Sequence, residues 1–371
     1  MALDTSVVGA RIADARERAG LTQAELSSET GIERSALAKI ERGIRGVRAL
    51  ELAAIARAVD FRLEWFLSEP PAALVSYRLR ADADLDIATI DRVLERLARD
   101  VESVQSLAPS LVPAPREPAP PLKNQTEADE LAVRARALCG IDNRSPINDL
   151  VKTVGHIGLL AFSKELGADT ADAGTILLTH GAVALVNSTN HVGRRRLALA
   201  HELGHYLLAD DYAIDWRVAD QTSSDVVESR IDRFARAFLA PAVGLGAFWT
   251  NARQTHTVRD AAVLAASHFR IDMSTLARRL RELELADGAE CGEVRNTKTS
   301  KSDFIEFGLF DPHEMEGTSV PPNFGQVVIK LFKQKRLSAE RALSLLQGTL
   351  EYEDLPLVEP AHESEIWDLL L

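Results

Sequence analysis

The stretch LALAHELGHYLL, residues 197 to 208, holds the pattern His201-Glu202-Leu203-Gly204-His205. On an α-helix, residues four apart lie about 40° apart around the axis and about 6 Å along it, so both imidazoles face one point. Two such rings bind a single metal ion, and the glutamate beside the first is placed to take a proton rather than to ligate. Zinc is expected over manganese or iron, because two imidazoles and a carboxylate suit it. A bound zinc lowers the pKa of its water from about 15.7 toward about 7, which makes a nucleophile available at neutral pH. A catalytic zinc keeps three protein ligands and an open position. The best candidate for the third ligand is Glu228, in VVESRIDRFARAFLAP. Asp232, one turn further on the same side, is suited to accept the other N–H of a zinc-bound histidine and so fix its tautomer. The remaining histidines read as structural or surface residues. His180 and His191 lie close enough in sequence to the motif for a substrate contact.

Several elements must hold these groups in place. Leu197, Leu199 and Leu203 anchor the first helix, read as Arg194 to Leu208. Val227, Ile231, Phe234, Phe238 and Leu239 form the apolar face of a second, Val226 to Leu239. Helices are expected upstream at Glu127 to Cys139 and Ile147 to Val154, and a long one downstream at Val258 to Leu285. Ile157 to Phe162 reads as a strand. Thr175 to Thr179 and Ala182 to Asn187 read as a hairpin around His180-Gly181. The mixture is α+β.

Outside this region the chain changes character. Residues 82 to 107 read as one amphipathic helix, suited to pairing two copies or to packing on the N-terminal domain. The proline-dense run APSLVPAPREPAPPLKN follows and reads as an extended, accessible linker, where the main domain boundary is placed. Residues 286 to 303 are polar and turn-rich, as a flexible connection would be. The tail holds a helical pair, Gly325 to Lys333 and Ser338 to Gly348, on which a partner helix could dock.

Residues 7 to 67 form short helices punctuated by Gly20, Gly31 and Gly43. The run LTQAELSSETGIERSALAKIERGIRGVRALELAAIARAVD resembles the XRE-type (Cro/repressor-like) helix-turn-helix family. In that resemblance Thr22 caps the second helix, with Glu25 completing a capping box. Gly31 permits the turn, and Leu26, Ile32, Leu37 and Ile40 point inward. The recognition helix is Glu33 to Arg42, leaving Arg34, Ser35, Ala38 and Lys39 for the major groove. Gln23, Arg42, Arg45 and Arg48 suit phosphates. Glu41 falls where the family usually has a structural acid. A double-stranded DNA operator is the expected partner, bound by a homodimer on paired half-sites.

The stretches ALVNSTNHVGRRRLALAHELGHYLL and ESRIDRFARAFLAP resemble the ImmA/IrrE family of metallopeptidases, over residues 127 to about 285. The resemblance carries Asn187, Arg194 to Arg196, His201 to His205, Glu228, Asp232, Phe234, Ala235 and Pro241 onto the family pattern. It departs at Ile231, where the family usually has alanine, and at Arg230, where an acidic or polar residue is common. It implies peptide hydrolysis with Glu202 as base, a helix-turn-helix repressor or related regulator as substrate, and docking of that substrate on the helices of 258 to 285.

Composition sets the outer bounds. Hydrophobic residues make up 46% and charged residues 26% of 371, enough to bury a sizeable core. The net charge of -12 argues against a protein that coats nucleic acid, though not against a local basic patch. Residues 34 to 48 carry five basic residues and one acidic one. Two isolated cysteines, Cys139 and Cys291, make neither a disulfide framework nor a thiolate zinc site. With no apolar leader or spanning segment, a cytoplasmic protein without a membrane partner is expected.

The expected chain is therefore multidomain. An all-α helix-turn-helix domain at 1–70 and a helix with its linker at 71–125 precede an α+β zincin-like metallopeptidase domain at 126–287. That domain has an HExxH helix and a small antiparallel sheet, and a tail follows at 288–371. The function expected is a DNA-binding regulator with zinc endopeptidase activity. Two alternatives are a non-proteolytic transcription factor whose metal domain senses a ligand or partner, and a partner-binding role centred on the tail. Whether the target is another protein or this chain's own segment from Val112 to Lys123 is open.

Overall fold

The structure is a computed structural model. It describes residues 5–19, 21–59, 63, 66, 87–113, 117–168, 171–208, 212–215, 226–309 and 313–357. Gly20, the first turn read at 82 to 86 and the last residues of the tail lie outside these. The chain divides into two compact units, Met1–Val75 and Ser76–Leu371.

In the first unit, helices α1 (Thr5–Arg18), α2 (Gln23–Thr30), α3 (Arg34–Glu41) and α4 (Ala49–Ala58) follow one another closely. Thr22 caps α2 through a full capping box with Glu25, and Gly31 ends it at φ +68°. That left-handed turn strains a residue bearing Cβ. It lets α3 fold back so that Leu37 and Ile40 join Ile12, Leu26, Leu52 and Ile55 in one core.

The second unit opens with α5 (Ile87–Leu107), α6 (Gln125–Leu138) and α7 (Leu150–Gly155). Strands β1 (Leu159–Lys164), β2 (Ala173–Leu177), β3 (Ala182–Asn187) and β4 (Tyr212–Asp215) form a sheet ordered β1-β3-β2-β4. The hairpin of β2 and β3 is antiparallel, as is the pairing of β2 with β4. The sheet is nevertheless mixed rather than antiparallel, because β1 pairs with β3 in parallel. Helices α8 (Val192–Leu208) and α9 (Val226–Leu239) flank β4 in sequence.

Burial explains why the strands are apolar without alternation. Leu159, Ala161, Ala173, Ala182, Ala184 and Val186 share a core with α8 and α9. The intervening residues face the other way, where α5 packs on β2 and β3. Phe162 there meets Phe324 of α15 (Pro322–Lys333) edge-on at 5.3 Å. The helix read as part of a connecting segment is thus the cover of the sheet's second face. Its apolar stripe, Ile90, Leu94, Leu97, Val101 and Val104, is buried.

Three further readings are corrected. The segment Val258 to Leu285 is two helices, α11 (Val258–Phe269) and α12 (Met273–Glu282), because Arg270 turns left-handed at φ 53° and Asp272 caps the next helix. A helix α10 (Ala242–Ala252) precedes them. Residues 286 to 303 are not a loose connection, since α13 (Gly288–Asn296) and α14 (Lys301–Glu306) form there, each opened by a capping box. The pairs Asp287–Glu290 and Ser300–Asp303 are the sequence signal for both.

The proline-rich run is anchored at points along its length, although Pro109, Ser110, Glu117, Pro118, Pro120 and Pro121 are exposed. Leu111, Val112 and Leu122 are buried, Leu122 as part of the main core. Ala119 N–H donates to Leu207 O at 2.8 Å, and Arg230 donates to Leu122 O at 2.6 Å. The tail helices α15 and α16 (Ala339–Leu345) form a contacting pair. The tail is built into the unit: Ser319 bridges to Ser163 of β1, and Glu314 pairs with Arg196 of α8.

Candidate functional site

Helix α8 is buried along most of its length, with His201 at 1%, Glu202 at 0% and His205 at 3% exposure. The basic run at its start is structural. Arg194 pairs with Asp172 at 2.8 Å, Arg195 donates to Ser188 O and Asn190 O, and Arg196 joins Ile147 O to Glu314. Asn187, at the end of β3, ties Leu166, Gly167 and Ala171 to Thr189 at the entry of α8. Helix α9 is held at its far end by Arg136 and Arg279, which donate to Phe238 O and Ala240 O. Cations there satisfy the carbonyls left open at a helix C-terminus.

These supports bring His201, His205 and Glu228 together, their donor atoms lying within 4.8 Å of one another. His201 Nε2 stands 3.0 Å from His205 Nε2 and 3.1 Å from Glu228 Oε2, and His205 Nε2 lies 3.6 Å from the same oxygen. His201 Nδ1 faces Asp232 Oδ1 at 2.9 Å. With Nδ1 donating its proton to Asp232, Nε2 turns a lone pair toward the His205 nitrogen and the Glu228 carboxylate, an arrangement that a cation between the three would satisfy. Ligands 2.0 to 2.1 Å from a tetrahedral zinc stand about 3.4 Å apart, and the three observed separations straddle that value. The residues therefore fit the metal. The neighbouring His201 and His205 imidazoles hold the Glu228 carboxyl well below the usual carboxylate range, so it is an anionic donor. Glu228 is one third exposed, so the centre opens to solvent on that side.

Gly204 was not singled out from the sequence, yet it sets how closely the two ligand helices approach. A Cβ added there would stand 2.7 Å from Ile231 Cγ2 and 3.1 Å from Phe234 Cδ1. Ile231 is fully buried, so the departure from alanine at that position is accommodated by a residue without a side chain opposite. Gly204→Ala is expected to part α8 from α9, costing about 1–3 kcal/mol of stability and weakening metal affinity. Adding Ile231→Ala should restore both. Thermal melts and zinc titration of the single and double variants check this, and a single variant with unchanged affinity would contradict it.

Other expectations fall differently. Val227 is 43% exposed rather than facing the core. His191 sits at the start of α8, where its Nδ1 accepts from Arg194 N–H. Ten residues of helix put it about 15 Å along the axis from His201, outside the cluster formed by His201, His205 and Glu228. His180 is exposed in the β2–β3 turn, its carbonyl taking Gln105.

In the N-terminal unit, Arg34, Ser35, Lys39, Arg42 and Arg48 are exposed, and Ala38 is half-buried on the same helix as Arg34 and Lys39. Gln23 donates to Glu41 at 2.6 Å, and Glu41 also takes Arg16 at 2.7 Å, so Glu41 is a structural acid joining α1, α2 and α3. Arg45 is paired with Glu51 at 2.7 Å, which reduces the charge it offers a phosphate.

Fold and site define a helix-turn-helix unit followed by an α+β unit in which two histidines and a glutamate are placed to hold a metal ion. A helix-turn-helix family model matches residues 12–66, and the IrrE N-terminal-like domain model matches residues 163–281, from within β1 to the end of α12. The chain is a fusion of an XRE-type helix-turn-helix domain with an ImmA/IrrE-like metallopeptidase domain. No curated protein and no solved structure matches it. Among the described residues no helix is long and apolar enough to cross a membrane.

Proposed function

We propose that the chain is a DNA-binding transcriptional regulator that is also a zinc-dependent endopeptidase of zincin type, cleaving a helix-turn-helix repressor or a related regulator in the cytoplasm. The observation that carries this reading is the convergence of His201, His205 and Glu228 beside a buried Glu202. When bound, zinc supplies Lewis acidity and a water acidified toward neutrality. Asp232 orients the His201 ring through Nδ1. Glu202, about 100° from His201 and about 60° from His205 around the helix, takes the proton from the attacking water and returns it to the leaving amine. A site that only sensed a metal would need no base at 202.

Self-cleavage in the proline-rich segment is the weaker choice of substrate. Residues 117 to 123 are fixed to Leu207 and Arg230, and Arg230 is about 200° around α9 from Glu228. These contacts hold residues 117 to 123 against α8 and α9, which disfavours their entry into the site as an extended substrate. Incubating the zinc-loaded chain with helix-turn-helix regulators encoded near its own gene is the direct test. Cleavage of one regulator with the 117–123 segment intact is expected. Full zinc loading without cleavage of any would favour the sensor.

A further inference from the structure

Behind Asp232 the charged side chains continue in an alternating series that leads away from the metal ligands. Arg236, one turn on in α9 and 5% exposed, brings Nη1 to 3.8 Å from Asp232 Oδ2. Its Nε and Nη2 both reach Glu282 Oε1 of α12, at 2.8 and 2.7 Å. Glu282 Oε2 also takes Arg279 at 3.2 Å. Arg279, 1% exposed, donates to Asp129 Oδ1 of α6 at 2.8 Å, and Asp129 Oδ2 takes Arg233 of α9 at 2.6 Å. Three guanidiniums thus alternate with three carboxylates, and the series joins α6, α9 and α12 to the ring of His201.

The geometry points to Arg236 as a positioning residue for the metal centre: it fixes the Asp232 carboxylate in the orientation that meets His201 Nδ1, and through Glu282 it ties that orientation to the seating of α12. The inference rests on the metal-centre reading above. Asp232 is 26% exposed, so water competes with His201 for its carboxylate. The His201 contact uses Oδ1, and Arg236 addresses Oδ2 from the buried side. A guanidinium spreads its charge over a fixed plane, so Nε and Nη2 hold Glu282 by hydrogen bonds while Nη1 keeps a positive charge beside Asp232 as an ion pair, which one ammonium cannot do. A partner that orients a metal-bound imidazole is worth about 10- to 100-fold in metal affinity. A group that orients that partner should be worth a smaller factor of the same kind.

The test uses the full chain. Zinc affinity is measured by competition with a chromophoric chelator for the wild type, Asp232→Asn, Arg236→Met and the double variant. The visible spectrum of the cobalt-substituted proteins is recorded beside it. Asp232→Asn should bind about 10- to 100-fold more weakly, and Arg236→Met about 3- to 10-fold more weakly with altered cobalt bands. The double variant should be no weaker than Asp232→Asn alone, because Arg236 acts through Asp232. Wild-type affinity and spectrum in Arg236→Met would overturn the inference, and so would losses that multiply in the double variant. If Arg236→Met does not fold, Arg236→Lys keeps the charge and should still lose affinity, and an unchanged value there also overturns it. A wild-type chain that binds no zinc sinks the metal-centre reading and this inference with it.

Discussion

Glu202→Gln is expected to keep its zinc and lose peptide hydrolysis by about 10²- to 10⁴-fold, the usual contribution of a positioned general base. The amide matches the carboxylate in size, so the buried position is filled and the His201–Asp232 and His201–Glu228 contacts persist. What is removed is the ability to accept a proton. The loss should fall on kcat, with KM little changed, because Glu202 acts on the water and not on the peptide's binding. Zinc content, operator binding and single-turnover cleavage of the substrate regulator, measured on one preparation, separate the two halves of the protein. Unchanged cleavage would remove Glu202 from the chemistry. An unchanged cellular output would show that proteolysis is not how this chain regulates.

Glu314→Ala should destabilise the second unit by about 3–5 kcal/mol, the cost of leaving one member of a buried ion pair without the other. Arg196 is completely buried, and its burial alone pushes the guanidinium pKa down. Glu314 offsets that, and the same carboxylate also accepts from the Leu150 and Val151 N–H groups at the start of α7. One substitution therefore strips a cation of its partner and opens a helix N-terminus. Arg196 is five residues before His201, so zinc affinity should fall as well. Urea unfolding gives the stability difference, and Glu314→Gln should be milder because its amide oxygen still accepts from α7. A change below about 1 kcal/mol would mean that the tail is an appendage after all.

The parts of the structure that the sequence displays are those encoded by local spacing. Two histidines four apart, and a glutamate and aspartate four apart, give facing side chains wherever the segments are helical. Thr22 with Glu25, and Gly31 before Ile32, define a turn within a few residues. What stayed hidden depends on partners far apart in the chain. Glu314 meets Arg196 across 118 positions, and Glu282 meets Arg236 across 46. Neither pair has any signature in composition or period. The stripe on α5 announces burial but not the surface it covers. The break at Arg270 was missed because a left-handed residue there is not glycine. The helices of 288–306 were missed because polarity was weighed above their capping boxes. The parallel pairing of β1 depends on β3 inserting between β1 and β2, which hairpin signals do not record.

Zinc K-edge absorption of the purified full-length chain, together with elemental analysis, tests the metal centre most directly. One zinc per chain is expected, with imidazole scattering and only nitrogen or oxygen neighbours at about 2.0–2.1 Å, and Glu228→Ala should lower the zinc content. A chain that takes up no zinc, or a zinc with a sulfur neighbour at about 2.3 Å, would contradict a centre built from His201, His205 and Glu228.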